Sequence, residues 1–381
     1  MFYPAELLTW VEEVSTHLPH LSKSQAQVLA WYSFATTLVQ SCGMSHVSVF
    51  LAHLLDRPEE TMRQRLREAL YDGIDKRGQH RQEVDVGCCF APLFQWIVAH
   101  WNSPDERLFL ALDATTLRQT FTVLSVSVLV GHCAIPIAWK IVPANQPGSW
   151  RPHWLGLLQA LQVDGLQLQV MVAADRGLYA KWLFDAIVAC GWHPLLRIND
   201  QGNCCIRSSG QRLRLSQLAA LCKHHYWHGE VLCFSGQDRL TCTLLVLWDD
   251  HQQAAWLLVT DCPPAQVNPA WYALRMWIEA GFKALKTANF HWERTRMTHP
   301  ARAERLWLVL ALACLRAALL APPVSYVIPA HYPRLNLFKQ GILRQLAALI
   351  RAQPLPTFLF PQLILPPSPC LDFLCLLKTY P

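Results

Sequence analysis

Residues 268–290, NPAWYALRMWIEAGFKALKTANF, decide how the rest of the chain is to be read. Asn268 followed by Pro269 marks a helix start, an N-cap and then a proline in the first turn. Gly281 is the one weak helix former before Asn289. At 3.6 residues per turn, Tyr272, Arg275, Glu279 and Lys286 fall within an arc of about 60° on one face. Leu274, Ile278, Phe282 and Leu285 form an adjoining apolar stripe that would hold the helix against a core. A single helix is therefore expected to line up a phenol, a carboxylate and two cations. Arg275–Glu279 and Glu279–Lys283 are also i,i+4 pairs of the kind that merely decorate a solvated helix. A metal-ligating acid beside cations that grip phosphate is what phosphodiester chemistry needs, so acids elsewhere settle the choice.

Two such acids stand upstream. Asn102-Ser103-Pro104 punctuates the chain, and strand patterns follow it. LFLALD (108–113) is an apolar run ending in a carboxylate, followed by FTVLSVSVLV (121–130) and CAIPIAWKIV (133–142). Gly131-His132 between the last two suits a tight hairpin turn. A helix over 150–161, the buried run LQVMVAAD (168–175), a helix over 179–190 and HPLLRIN (193–199) complete the pattern. Asp113 and Asp175 each end an apolar run. A lone aspartate there commonly caps a helix or forms a turn. Two of them on strands expected to be neighbours make a pair. Gly177 is expected to let the backbone turn sharply after Asp175. Asp105 and Asp164 are rival acids, but both lie outside the apolar runs.

The order Tyr272, Arg275, Glu279, Lys286, with DATTL at Asp113 and ADRGLY at Asp175, resembles the IS-four family of bacterial insertion-sequence transposases over roughly residues 105–312. The resemblance implies an α/β fold: a ribonuclease-H-like mixed sheet core with a β-rich insertion, preceded by a helical N-terminal domain. It implies catalytic roles for Asp113, Asp175 and Glu279. The strand and helix order described above is the ribonuclease-H order. The β-rich stretch over 200–264, with RLRLSQL, GEVLCFS, TCTLLVLWD and AAWLLVTD, matches the insertion the family carries. Trp256 stands, relative to Tyr272, where related hairpin-forming transposases place a base-stacking tryptophan. Such stacking is worth on the order of 1–3 kcal/mol. The alternative for Trp256 is a core strand residue, and Trp248 is the second candidate.

Phosphodiester cleavage must stabilise an attacking and a leaving oxygen, which two metal ions about 3.5–4 Å apart accomplish. Magnesium prefers oxygen ligands and keeps its waters, so a few carboxylates suffice. The expectation is a Mg2+ pair, replaceable by Mn2+, with Asp113 bridging both ions and Asp175 and Glu279 completing one each. Arg275 and Lys286 would grip phosphate, the first as a fork and the second as a point charge. Tyr272 would hydrogen-bond a phosphate near the flipped base. The resemblance further implies that water frees a 3′-hydroxyl at the element's end, which attacks the opposite strand to form a hairpin. A second water opens the hairpin, and the 3′-hydroxyl joins target DNA within a synaptic homodimer. A resolvase-like nuclease on the same fold, or a DNA-binding relic that no longer cuts, are the alternatives.

Composition is compatible with this reading without demanding it. The chain has 381 residues, 52% hydrophobic and 16% charged, and a formal charge of +6, which argues against wholesale disorder and suits a polyanion partner. Fourteen cysteines contain no CxxC pair, so free thiols in a reducing cytoplasm are expected. CKHHYWH (222–228) lacks zinc-ligand spacing and reads as a loop with solvated histidines. The N-terminus carries acids rather than a basic leader, and Leu306–Leu320 is too short and charged to span a membrane, reading instead as a buried helix. No nucleotide-binding GxxxxGK[ST] loop is present.

The expected divisions are a helical, DNA-end-binding domain over 1–103, core over 104–199, insertion over 200–264, core again over 265–321, and a proline-rich tail over 322–381 that packs on the body or helps dimerise. In the first, helices over 22–40, 45–55 and 58–71, with Arg63, Arg65 and Arg67, precede the basic loop DKRGQHRQ (75–82), a candidate for contacting double-stranded DNA. Arg294, Arg296, Arg302 and Arg305 are expected close to the glutamate helix. A last helix is expected over 335–352.

Overall fold

The computed structural model describes residues 5–76, 81–101, 107–223, 226–248, 254–321, 326–327, 335–355, 357, 359–360 and 363–364. Helices come first: α1 (Ala5–His17), α2 (Lys23–Val39), α3 (Met44–Leu55), α4 (Glu59–Leu70) and α5 (Phe90–Ala99). Ser22 starts α2 as expected, with a capping box in which its hydroxyl accepts from the Gln25 N–H and the Gln25 side chain accepts from the Ser22 N–H.

The meander follows as β1 (Arg107–Leu117), β2 (Phe121–Val130) and β3 (Cys133–Pro143), paired antiparallel. Gly131 and His132 both take positive φ, 52° and 59°, as a two-residue hairpin of type I′ demands. Then come α6 (Arg151–Ala160), β4 (Gln169–Ala174), α7 (Lys181–Ala189) and β5 (His193–Ile198). β4 lies parallel to β1 and β5 parallel to β4. All ten residues of β2 are buried, because helices cover this part of the sheet.

The stretch beyond β5 extends the same sheet. β6 (Asn203–Ile206), β7 (Arg212–Arg214), β8 (Tyr226–Cys233), β9 (Leu240–Leu247) and β10 (Trp256–Thr260) join it in the order β3-β2-β1-β4-β5-β10-β9-β8-β6-β7. The join is made by β10, antiparallel to β5. One segment differs from expectation: after the three residues of β7, RLRLSQL turns into helix α8 (Leu215–Leu221), capped where the Arg214 N–H donates to Gln217.

The glutamate segment is also not one α-helix. It begins as a 3-10 helix over Pro269–Met276, becomes α-helical as α9 (Trp277–Lys283), and widens to a π-helical stretch over Ala284–Ala288. Asn268 caps it as expected, accepting from the Ala270 N–H at 2.8 Å. Leu274, Ile278, Phe282 and Leu285 are all buried, and α9 lies on β3. Gly281 makes that close approach possible: a Cβ there would stand 2.9 Å from the Ala134 carbonyl oxygen. Next, α10 (Pro300–Leu320) is buried almost throughout and packs on β3, α2 and α11 (Leu337–Ile350). The N-terminal helices and the sheet thus share one hydrophobic core. Among the described residues no single helix is long and apolar enough to cross a membrane; α2 and α3 pass that test only as a pair bent by 102°.

Candidate active site

The site is built where β1 outlasts its neighbour. β1 pairs with β4 as far as Leu112 opposite Ala174, after which β4 ends and β1 continues alongside β2 to Leu117. Asp113 is therefore within a strand rather than at its end, while Asp175 is the first residue beyond β4. The last paired residues of the two strands, Leu112 and Ala174, immediately precede them. Asp175 is oriented by two backbone donors, with Oδ1 accepting from Gly177 N at 3.0 Å and Leu178 N at 3.1 Å. Gly177 does not take positive φ, unlike the glycines of the tight turns. Its contribution is space: a Cβ would come within 3.3 Å of that same Oδ1.

The helical segment brings four side chains to these acids. In the 3-10 part, Tyr272 and Arg275 eclipse each other at i,i+3. The Tyr272 hydroxyl donates to the carbonyl of Ala174 at 3.4 Å, the residue before Asp175. Arg275 spans two carboxylates: Nη1 donates to Asp113 Oδ2 and Nη2 to Glu279 Oε1, both at 3.1 Å. Past the α-helical turns, Lys286 Nζ donates to Thr115 Oγ1 at 2.7 Å and to the Thr116 carbonyl at 3.3 Å. Trp256, half-buried at the start of β10, meets the Tyr272 ring edge-to-face, with centroids 5.1 Å apart and planes at 73°. All seven residues singled out in the sequence thus lie in one connected patch. The 60° arc was calculated for a uniform α-helix; the observed line-up comes from three helical pitches in succession.

Electrostatics sets the patch apart. Burial raises Asp113 above the usual carboxylate range, and Asp175 and Glu279 push the same way, against the Arg275 charge and the Ala114 N–H. Burial disfavours the Arg275 charge, yet Tyr272 and the three carboxylates outweigh it and move that group upward. Burial lowers Lys286, opposed by Glu293 and Asp113, and pushes the Tyr272 phenol up to about 12. Tyr272 therefore keeps its proton at neutral pH and stands as a hydrogen-bond donor beside the acids.

An all-oxygen donor set of this kind suits a hard divalent cation. The carboxylates of Asp113, Asp175 and Glu279 do not all close to within 4.8 Å of one another, and the Arg275 guanidinium lies between two of them. By donor chemistry the three carboxylates fit a hard divalent cation, and the Arg275 guanidinium between two of them shows that this acidic patch accommodates positive charge.

Thr115 and Thr116 were not singled out beforehand, although they stand inside DATTL beside Asp113. Two arginines expected here lie elsewhere. Arg305 is buried and donates to Asp72 at 2.8 Å, Glu83 at 3.1 Å, and the carbonyls of Leu70 and Val84. Arg302 pairs with Asp75 at 2.9 Å and covers the Tyr71 ring. Both hold the segment after α4 instead of reaching the acids, because the start of α10 faces α4. Arg294 and Arg296 are exposed, as is Asp164. Asp105, Arg77, His224 and His225 lie outside the described residues.

No curated protein matches the chain. Among solved structures, the crystal structure of human ENDOV aligns with a TM-score of 0.24 and 14% identity, covering 55% of this chain and 93% of that one. That likeness is too slight to carry an argument. The family described as Transposase DDE domain matches residues 105–316, a span that opens just before β1 and ends within α10 and so contains the whole acidic patch. By this match over more than half its length, the chain belongs to the transposase DDE domain family.

Proposed function

We propose that this chain is an insertion-sequence transposase of the IS-four type, which cuts DNA at the ends of its element and joins the freed 3′-hydroxyls to target DNA. The observation that carries the reading is the Arg275 bridge between Asp113 and Glu279, with Asp175 one strand away. The strands β3-β2-β1-β4-β5, with their two antiparallel and two parallel pairings, support a ribonuclease-H-like core. The strands over 200–264 would be its insertion, and the helices over 1–103 would bind DNA ends.

Asp113, Asp175 and Glu279 would hold divalent metal, Mg2+ or Mn2+, two ions in our reading. Bound there, the metal supplies Lewis-acid stabilisation of charge on the phosphate oxygens and a nucleophile at neutral pH. The chain's own residues do the rest. Arg275, released from Glu279 as the site fills, turns its planar fork toward a phosphate beside the cut. Lys286, held by Thr115, offers a point charge on the same side. Tyr272 keeps its proton and donates to a phosphate oxygen, while Trp256, packed against Tyr272 and half-buried, would stack an extruded base. The strand-exchange steps would run through a hairpin within a homodimer that holds two ends.

The test is cleavage of a supercoiled plasmid carrying the element's own ends, with Mg2+, by wild type and Asp113→Ala. Cutting by the first and not the second is expected; an inert wild type removes the enzymatic reading. Normal hairpin formation by Trp256→Ala would remove the stacking role.

A further inference from the structure

A second convergence of ligand atoms lies at the opposite end of the sheet. β5 runs parallel to β4, so His193 at its start is far from Asp175 at the end of β4. β10 runs antiparallel to β5, and the residues just past it, Asp261 and Cys262, return to His193. His193 Nδ1 stands 3.1 Å from both carboxylate oxygens of Asp261, and Cys262 Sγ stands 3.9 Å from Asp261 Oδ1. The three ligand atoms all lie within 4.8 Å of one another, the one such group among the described residues.

We propose that His193, Asp261 and Cys262 form a site for one borderline transition-metal dication, with Zn2+ as the fitting species. Ligands 2.0–2.3 Å from zinc in a tetrahedron stand about 3.3–3.8 Å apart, and the 3.1 and 3.9 Å separations bracket that edge. Imidazole nitrogen, thiolate and carboxylate together select zinc over magnesium, in contrast to the all-oxygen set at Asp113. The turn is fixed, because the Cys262 N–H donates to Thr260 Oγ1 at 3.2 Å. Cys262 is buried, whereas the His193 and Asp261 side chains are 31% and 27% exposed, which gives an ion a path in and leaves a fourth position for water. Burial pushes the Cys262 thiol up to about 11, against the Thr260 hydroxyl and the Arg107 charge, so the thiol keeps its proton until an ion displaces it. Binding replaces the thiol proton, which leaves to solvent, and bonds Sγ to the metal. The ion would pin the seam at which the inserted strands join β5.

The experiment uses the full chain freed of metal and titrated with Co2+, which absorbs strongly when bound to thiolate in four-coordinate geometry. We expect a thiolate-to-cobalt charge-transfer band that saturates at one equivalent and bleaches when Zn2+ is added, but not with excess Mg2+. The band is lost in Cys262→Ser and lost or weakened in His193→Gln, whose half-exposed position makes it the variant to use should the first not fold. Asp113→Ala keeps the band, which separates this site from the acidic one. Absence of the band in wild type, or its persistence in Cys262→Ser, overturns the proposal.

Discussion

Two arginines in this molecule make nearly the same bridge and differ in what surrounds it. Arg275 joins Asp113 to Glu279; Arg305 joins Asp72 to Glu83. Both guanidinium side chains are largely buried, 12% and 6% exposed. Arg305 also donates to the carbonyls of Leu70 and Val84, so it ties α10 to the segment after α4 on four acceptors. Among the described residues Arg275 has no such backbone tie, and the charges that act on it are negative. The partner acids respond in opposite directions. Burial alone would raise Asp72, but the Arg305 hydrogen bond and charge, with His299 and Arg302, hold it below the usual range. Asp113 is raised, because burial and two further carboxylates outweigh its arginine. A bridge that satisfies its acid acts as a tie within the fold, and one that leaves its acid raised is what the proposed cation site would require.

The largest effect expected from this contrast is catalytic. Asp113→Asn keeps the shape of the side chain and removes its charge. Losing several kcal/mol of charge stabilisation corresponds to a roughly thousandfold drop in cleavage rate. Circular dichroism should remain native, and a rate within tenfold of wild type would place Asp113 outside the chemistry. Arg305→Met should do the reverse. It strands two carboxylates and two carbonyls, and removing one partner of a buried pair costs about 3–5 kcal/mol. With Glu83 half-exposed the lower end applies, about 3 kcal/mol in a urea titration, with cleavage per folded molecule unchanged.

A smaller effect should arise where the glutamate helix meets the sheet. Gly281→Val forces side-chain atoms into the Ala134 backbone, and overpacking of this kind costs about 1–3 kcal/mol. Since α9 carries Glu279, the same variant should lose cleavage out of proportion to stability. Equal loss of both would mean that the helix position does not matter to the site.

How much of this was legible in the chain follows from the range of the forces involved. The meander, its Gly131-His132 turn and the two acids were readable because alternation, apolar runs and turn residues act locally. The Tyr272–Arg275–Glu279–Lys286 line was readable as a face, but its helical type was not. The packing of Gly281 against Ala134 and the tie from Lys286 to Thr115 are tertiary contacts that no local pattern announces. Arg302 and Arg305 were misplaced for the same reason. Proximity to Glu279 in sequence says nothing about α4, whose following residues Asp72 and Asp75 claim them. The His193–Asp261–Cys262 group carries no spacing signal, since antiparallel pairing of β10 with β5 alone brings its members together.

The smallest expected effect is a difference in sign between the two bridges as pH changes, measured without metal. Asp72 is depressed in the folded protein. Its contribution to stability is present above the unfolded value, about 3.9, and is lost as pH falls through the folded one. Asp72→Asn should therefore melt below wild type at neutral pH, with the gap closing on acidification. Asp113 is raised, so the folded protein holds that proton more readily than the unfolded chain. Its contribution is present below about 3.9 and is lost as pH rises through the folded value. Relative to wild type, Asp113→Asn should gain as pH climbs above about 3.9, whereas Asp72→Asn should lose as pH climbs toward that value from the acid side. Parallel melting-temperature series from about pH 7 down to 2 decide it. If the two variants drift the same way against wild type, both acids are satisfied alike, and the Arg275 bridge is a second structural staple rather than a place held for metal.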